Sequence, residues 1–366
     1  MTRLVLVGAG GMGRAWLGTI LRNPDAELAG VVDLDLDVAR AALAEVEGQI
    51  DGVVAADVAV GQDVVEVARR TGADAVVNVT VPQAHHPVTT AALFAGFPVL
   101  GEKPVASTVA QALSLVAASE VSGQPFLVSQ SRRYNPHVEE FRAQAAVLGD
   151  LGALSTEFFK APHFGGFREE MAQPLLVDMA IHQFDLARYL LDAEPVSVYC
   201  ESFNPPWSWY SGDANAAAVF EMSSGARYSF TGSWCAPGVE TSWNGSWRLS
   251  GANGSAVWNG DDRPVLDADG EPGEFSDPGQ EIAGSLAAFV AFLTRGAAFS
   301  GEVHDNVLSL AMVEAAVESA GSGARVQLDD VLDRAYARAL ADEQREDVAT
   351  ALKGWSSVRT ALSGGR

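Results

Sequence analysis

At 366 residues the chain is longer than one hydrophobic core usually serves, so two domains are expected. Its 48% hydrophobic and 19% charged residues exclude intrinsic disorder. With 24 basic against 47 acidic residues the net charge is −23, a field that repels phosphate backbones and anionic lipid and points to a small or neutral partner rather than nucleic acid or a membrane surface.

In chain order, short β-branched runs at 4–7, 29–33, 75–79, 99–102 and 126–129 alternate with stretches at 12–23, 38–46, 64–70, 86–95 and 108–120 whose apolar residues recur at helical spacing. The alternation predicts βαβ units and a parallel, doubly wound α/β sheet. After about residue 149 the strands come in succession, at 155–160, 196–203, 216–222, 227–234, 246–250 and 256–258, interrupted by one strong helix over 175–191. Turn signals at Ser223-Ser224-Gly225 and Gly251-Ala252-Asn253-Gly254 predict a mostly antiparallel sheet in an α+β second domain. The Asp-, Gly- and Pro-rich segment 259–280 is expected to be a surface loop, with helices resuming at 281–294, 306–319 and 331–342. The boundary falls near 125–150, which divides the chain into an α/β domain over 1–130 and an α+β domain over 131–366.

Cys200 and Cys235 form no CxxC pair, which excludes a disulfide framework and a thiolate zinc site. No run approaches the roughly 18 apolar residues of a membrane span, and the opening apolar run 4–7 is too short for a secretion signal, so a cytoplasmic protein is expected. His85 and His86, as neighbours, face different ways, and no HExxH or Cys-His spacing joins them to Asp178 or His182; no metal is expected.

Gly8-Ala9-Gly10-Gly11-Met12-Gly13 follows the first run and opens a helical stretch, which is the setting that gives G-x-G-x-x-G its meaning. Gly8 would permit the tight turn, Gly10 would let backbone approach a pyrophosphate, and Gly13 would let helix and strand pack closely. The phosphates would then sit on the helix N-terminus. Asp33, 20 residues beyond Gly13, is placed to hydrogen-bond ribose hydroxyls. With Asp35 and Asp37 behind it, and no basic residue between it and Arg40, it favours NAD over NADP. The alternative is a plain strand-turn-helix with an exposed acid.

Three of the 24 basic residues are lysines, so Lys103 in Glu102-Lys103-Pro104, ending a predicted strand, stands out. An ammonium exchanges protons and polarises a carbonyl where a guanidinium cannot, although a lysine beside a strand also serves as ordinary surface. In the helix predicted over 175–191, Asp178, His182 and Asp185 are spaced i, i+4 and i+7, a polar stripe on an otherwise apolar helix. An imidazole, with an ordinary pKa of about 6.5, is the natural general base there and Asp178 its orienting partner; a pair buried in a core helix is the other reading. Arg168, in Phe167-Arg168-Glu169, is placed to reach an anionic or polyhydroxyl ligand, or simply to face solvent.

Together these residues resemble the glucose-fructose oxidoreductase / inositol dehydrogenase (Gfo/Idh/MocA) family. The likeness runs through the Gly8–Gly13 loop, Thr80-Val81-Pro82-Gln83-Ala84-His85, Ala95-Gly96 leading to Glu102-Lys103-Pro104, Arg132-Arg133-Tyr134-Asn135-Pro136, Asp178-Met179-Ala180-Ile181-His182 and the closing helical section 289–328. The resemblance implies a Rossmann domain followed by a domain with a large open-faced sheet, with nicotinamide between them and a sugar or cyclitol above it. It implies that Lys103 contacts the reacting oxygen, Asp178 orients substrate, and His182 removes the hydroxyl proton, all three touching substrate; Arg168 joins them as a substrate candidate on its own position alone. Cofactor contacts would come from Gly8, Gly10, Gly11, Met12, Gly13, Asp33, Thr80, Pro82, His85, Glu102, Lys103 and Gln130. It also implies a homo-oligomer, dimer or tetramer, in which a second subunit covers the open sheet. Two departures bear on substrate more than on reaction: Gln173-Pro174-Leu175-Leu176-Val177 where the family often has glycines, and Val81 where a proline is common.

The aromatic run Pro205-Pro206-Trp207-Ser208-Trp209-Tyr210, with Trp234, Trp243 and Trp247, offers flat faces for a sugar ring and equally serves as sheet core or subunit interface. The function expected is an NAD-dependent dehydrogenase of a secondary hydroxyl on a sugar, sugar derivative or cyclitol. Its competitors are a glycosidase that recycles NAD without net turnover, and a non-catalytic NAD-binding regulator, which has no reason to keep Lys103, Asp178 and His182 together.

Overall fold

The computed structural model describes residues 1–50 and 58–363 of the chain. Its elements in order are β1 (Thr2–Val7), α1 (Gly11–Arg22), β2 (Ala26–Val32), α2 (Leu36–Glu47), β3 (Ala59–Gly61), α3 (Val64–Thr71), β4 (Ala75–Asn78), α4 (Pro82–Phe94), β5 (Val99–Glu102), α5 (Val109–Ser122) and β6 (Phe126–Ser129). There follow α6 (Pro136–Ala145), β7 (Leu151–Phe159), α7 (Ala180–Leu191), β8 (Pro195–Phe203), β9 (Asn215–Met222), β10 (Arg227–Ser233), β11 (Ser246–Gly251), β12 (Gly254–Trp258) and β13 (Val265–Ala268). The chain closes with α8 (Glu281–Arg295), α9 (Val303–Ser322), β14 (Val326–Gln327), α10 (Leu328–Asp342), α11 (Glu346–Gly354) and α12 (Val358–Ser363). No described helix is long and apolar enough to cross a membrane.

The described residues form two compact units, one of Met1–Tyr134, Gly279–Val307 and Ala335–Arg366, the other of Asn135–Pro278 and Leu308–Arg334. In the first, six strands pair in the order β3-β2-β1-β4-β5-β6, all parallel. This is the doubly wound order, whose direction reverses between β1 and β4. Its strands are near-continuous apolar runs, as a sheet covered on both faces requires. Trp16, Leu17 and Ile20 of α1 share one core with Leu4 and Leu6 of β1, Val31 of β2, and Leu286, Phe289 and Val290 of α8.

The first unit also holds a charge clamp that no sequence pattern announces. His304 directs Nδ1 at Glu302 (2.8 Å) and Nε2 at Glu120 of α5 (3.1 Å), and Trp355 Nε1 donates to the other Glu120 oxygen at 3.1 Å. Burial alone would lower the imidazole's pKa, but the hydrogen bonds and charges of Glu120 and Glu302 outweigh it and raise the group to about 9. A raised folded-state pKa stabilises fully below the ordinary value of about 6.5, and that contribution is lost as pH climbs through 9. We therefore expect His304→Gln to lower the thermal midpoint most at pH 6, with the gap to wild type closing by pH 9.5, as thermal scans across this range would read; a pH-independent gap would remove the charged clamp.

In the second unit eight strands pair in the order β13-β12-β11-β7-β10-β9-β8-β14. All pairs are antiparallel except β7 with β10. Alternate residues of β9, Ala216, Ala218, Phe220 and Met222, are buried, and Phe184 of α7 meets this face with its ring 4.8 Å from that of Phe220 and 5.4 Å from that of Phe230. The opposite face shows Val196, Tyr199, Phe203, Val219 and Val257 exposed.

Two expectations are corrected here. The segment 259–280 is not all loop: Val265–Ala268 extends the sheet as an edge strand on β12, a four-residue piece too short and too exposed to carry an apolar pattern. Nor is 175–191 one α-helix. Leu175–Met179 form a π-helical turn, in which the Ala180 N–H reaches back five residues to Leu175 O, and only then does α7 begin.

Candidate active site

Strand β1 runs into Gly8, whose φ of +98° suits glycine and where a Cβ would lie 2.8 Å from Val79 O. A Cβ on Gly13 would sit 2.1 Å from Gly8 O, so the turn closes on α1 only because both positions lack side chains. Gly10 and Gly11 differ: a Cβ on either meets nothing within 4 Å. Backbone is thus bare beside open space at the N-terminus of a twelve-residue helix with no acid in its first turn, a setting whose free N–H groups and dipole suit an anion. Asp33, just past β2, accepts the Ala9 N–H on Oδ2 at 2.8 Å and the Asp35 N–H on Oδ1 at 3.0 Å, so it also fixes the glycine turn.

Three further strand ends lie along the same carboxyl edge. After β4, Thr80 donates from Oγ1 to Asn78 Oδ1 (2.7 Å), and Pro82 opens α4. At the end of β5, Glu102 is buried, accepting Trp16 Nε1 on one oxygen (2.8 Å) and the Lys103 N–H on the other (3.1 Å). Burial pushes its carboxyl up, opposed by the Lys103 charge and these hydrogen bonds. After β6, Gln130 is 1% exposed, and neither end of its carboxamide finds a partner among the described residues. A buried amide missing both donor and acceptor bonds is suited to a polar ligand.

Lys103 follows Glu102, and its peptide bond to Pro104 is cis. His85, expected at the cofactor, turns both ring nitrogens onto backbone: Nδ1 lies 2.6 Å from Pro104 O and Nε2 3.0 Å from Thr80 O. It ties the Thr80 turn to the segment that carries Lys103. Burial lowers its pKa, opposed by the two carbonyls, and a neutral imidazole can donate to only one of them.

In the second unit Asp178 lies in the π turn and His182, 8% exposed, in the first turn of α7. The stripe expected from helical spacing does not extend to Asp185, which is in the core accepting Ser309 Oγ at 2.7 Å. Arg168 is brought to Asp178, with Nε 2.7 Å from Oδ2, and its guanidinium lies over the rings of Phe167 (4.9 Å) and Phe164 (5.4 Å). Neither phenylalanine was given a role by the sequence, since lone aromatics in a loop carry no periodic signal. The tryptophans divide: Trp234 and Trp247 are buried in the core, Trp209 stacks on His163 at 3.8 Å, and Trp207 and Trp243 are largely exposed.

Residues 2–130 match the model of an oxidoreductase family with an NAD-binding Rossmann fold, and residues 142–257 match the GFO/IDH/MocA C-terminal domain. The chain is 28% identical over 360 residues to the uncharacterized protein y4oX of Sinorhizobium fredii, covering 91% of this chain and 97% of that one. It is 32% identical over 201 residues to inositol 2-dehydrogenase 4 of Saccharopolyspora erythraea, covering 54% and 56%. Among solved structures, an oxidoreductase of Agrobacterium radiobacter in complex with NAD+, L-tartaric acid and magnesium matches with a TM-score of 0.76 at 20% identity, covering 90% of this chain and 99% of that one, a likeness of fold.

Proposed function

The chain belongs to the GFO/IDH/MocA family of oxidoreductases acting on CH–OH groups, and on that premise we propose that it is an NAD-dependent dehydrogenase of a secondary hydroxyl on a sugar, sugar derivative or cyclitol, working as a homo-oligomer. The observation that carries the reading is one sheet edge. The bare Gly10–Gly11 turn opens where the strand order switches between β1 and β4, and Lys103 directly follows β5 on that same edge, next to β4.

NAD, when bound, supplies the hydride acceptor. The Gly8–Gly13 turn and the N-terminus of α1 would hold its pyrophosphate, Asp33 its ribose, and Thr80, Pro82 and Gln130 would line the edge beyond, while Glu102 and His85 brace that edge from within. The Lys103 ammonium donates to the reacting oxygen and stabilises the charge that develops there. A His182 ring nitrogen takes the hydroxyl proton as hydride departs, and Asp178 holds substrate and base in register. Asp33, Asp35 and Asp37 set negative charge where a 2′-phosphate would arrive, which favours NAD.

The test is NADH appearance by absorbance over cyclitols, aldoses, disaccharides and anhydrosugars, with NAD and NADP in parallel. Turnover is expected on one of these classes, with kcat/KM for NAD at least about tenfold above NADP. NAD binding without turnover on any compound, or sugar release without NADH, would replace this reading with the regulator or the NAD-recycling glycosidase.

A further inference from the structure

Given a dehydrogenase of a ring hydroxyl, the reading on which this rests, we infer that Arg168 is a specificity residue: its terminal nitrogens Nη1 and Nη2 receive a neighbouring pair of hydroxyls on an uncharged polyol, and the site disfavours sugar acids and sugar phosphates.

Arg168 has five N–H donors in a planar fork. One of them, on Nε, is committed to Asp178 Oδ2 at 2.7 Å. Among the described residues Nη1 and Nη2 make no hydrogen bond, and the side chain keeps 36% of its surface. The guanidinium is held at one edge by the carboxylate and lies over the rings of Phe164 and Phe167, residues that are 48% and 61% exposed. A donor fork beside two exposed phenylalanines matches a ring that offers hydroxyl acceptors at its rim and C–H bonds on its faces.

The loop that carries Arg168 is braced, so the fork is preorganised. Ser211 N–H donates to Glu169 O (2.8 Å) and Asp213 N–H to Ala172 O (2.7 Å). Between them Gly212 lies so close that a Cβ would stand 2.1 Å from Ala172 O.

Charge decides between ligand classes. The Arg168 cation is matched by Asp178, and the next two residues, Glu169 and Glu170, are acids bound to the Gly165 N–H and Ser211 Oγ. The preceding cation, Lys160, is paired with Glu240 at 2.7 Å. The group as a whole is negative within a chain of net charge −23, so an arriving carboxylate or phosphate is repelled while a hydroxyl is not.

Wild type, Arg168→Lys and Arg168→Met are compared with NAD on myo-inositol, D-glucose, D-glucuronate and D-glucose 6-phosphate. Initial rates are read beside titrations of intrinsic tryptophan fluorescence, which report binding without turnover. The neutral compounds are expected to bind wild type at least about tenfold more tightly than the charged ones. Arg168→Lys keeps a cation for Asp178 but loses the fork, and is expected to raise KM and the fluorescence Kd for the neutral compound about tenfold while kcat falls less than about threefold; Arg168→Met is expected to lose both KM and kcat. Wild-type KM and Kd in Arg168→Lys, tighter binding of the charged compounds, or binding of none of the four would overturn the inference. Neutral binding that Arg168→Lys weakens, with no NADH formed, would uphold it and overturn the dehydrogenase reading instead.

Discussion

His182→Asn is expected to lower kcat by roughly a thousandfold, the scale of a lost general base, with NAD affinity within about twofold of wild type. The residues assigned to the cofactor lie in the first unit, while His182 opens α7 of the second, between the π turn and a helix body whose Phe184 is locked against the sheet. The imidazole is therefore on a rigid element and nearly buried, as a proton acceptor requires if it is to meet one hydroxyl and little water. Single-turnover hydride transfer, followed by NADH fluorescence at saturating substrate, separates the chemical step from product release. Asparagine keeps polarity and approximate size, so an unchanged thermal midpoint would show that the loss is chemical. A kcat within tenfold of wild type would take His182 out of the proton path.

Gly13→Ala is expected to destabilise the first unit by about 2 kcal/mol or more and to weaken NAD binding at least tenfold. The added Cβ would stand 2.1 Å from Gly8 O, and backbone cannot rotate aside as a side chain can. Gly8 is itself pinned, since its own added Cβ would meet Val79 O at 2.8 Å. Gly10→Ala is the contrasting variant: its methyl enters open space, so it should fold like wild type and lose only cofactor affinity. Thermal denaturation without NAD and an NAD titration of each variant separate the two effects. Equal thermal midpoints for Gly10→Ala and Gly13→Ala would contradict the division of labour assigned to the glycines.

What could be read in advance was what adjacent residues encode. The glycine turn, the acid after β2 and the lysine at a strand end are short patterns whose meaning follows from neighbours, and each is found on the edge expected of it. The π turn was hidden because Leu175–Met179 has the same apolar content as an α-turn; one extra residue in the turn changes phase without changing composition. Asp185 was misplaced for a different reason: within α7 it is in the core, its carboxylate answering Ser309, which lies 124 residues away in sequence. Trp16 holding Glu102 spans 86 residues and left no trace in either segment. The pairing of Arg168 with Asp178 was equally invisible, because a loop residue's direction is set by braces such as Gly212 rather than by periodicity.

Leu286, Phe289 and Val290 of α8 complete the core around α1 and β1, and the C-terminal stretch from Ala335 belongs to the same unit. On the ribosome, synthesis is vectorial, and the first 134 residues emerge long before the helix that seals them. The nascent cofactor-binding unit lacks the α8 side of the core around Trp16 and Leu17 while strands β7 to β13 are made. The sheet unit has seven of its eight strands, β7 to β13, made before α8, and waits in turn for the segment Leu308–Arg334, so each unit is completed only by chain that follows the other's main body.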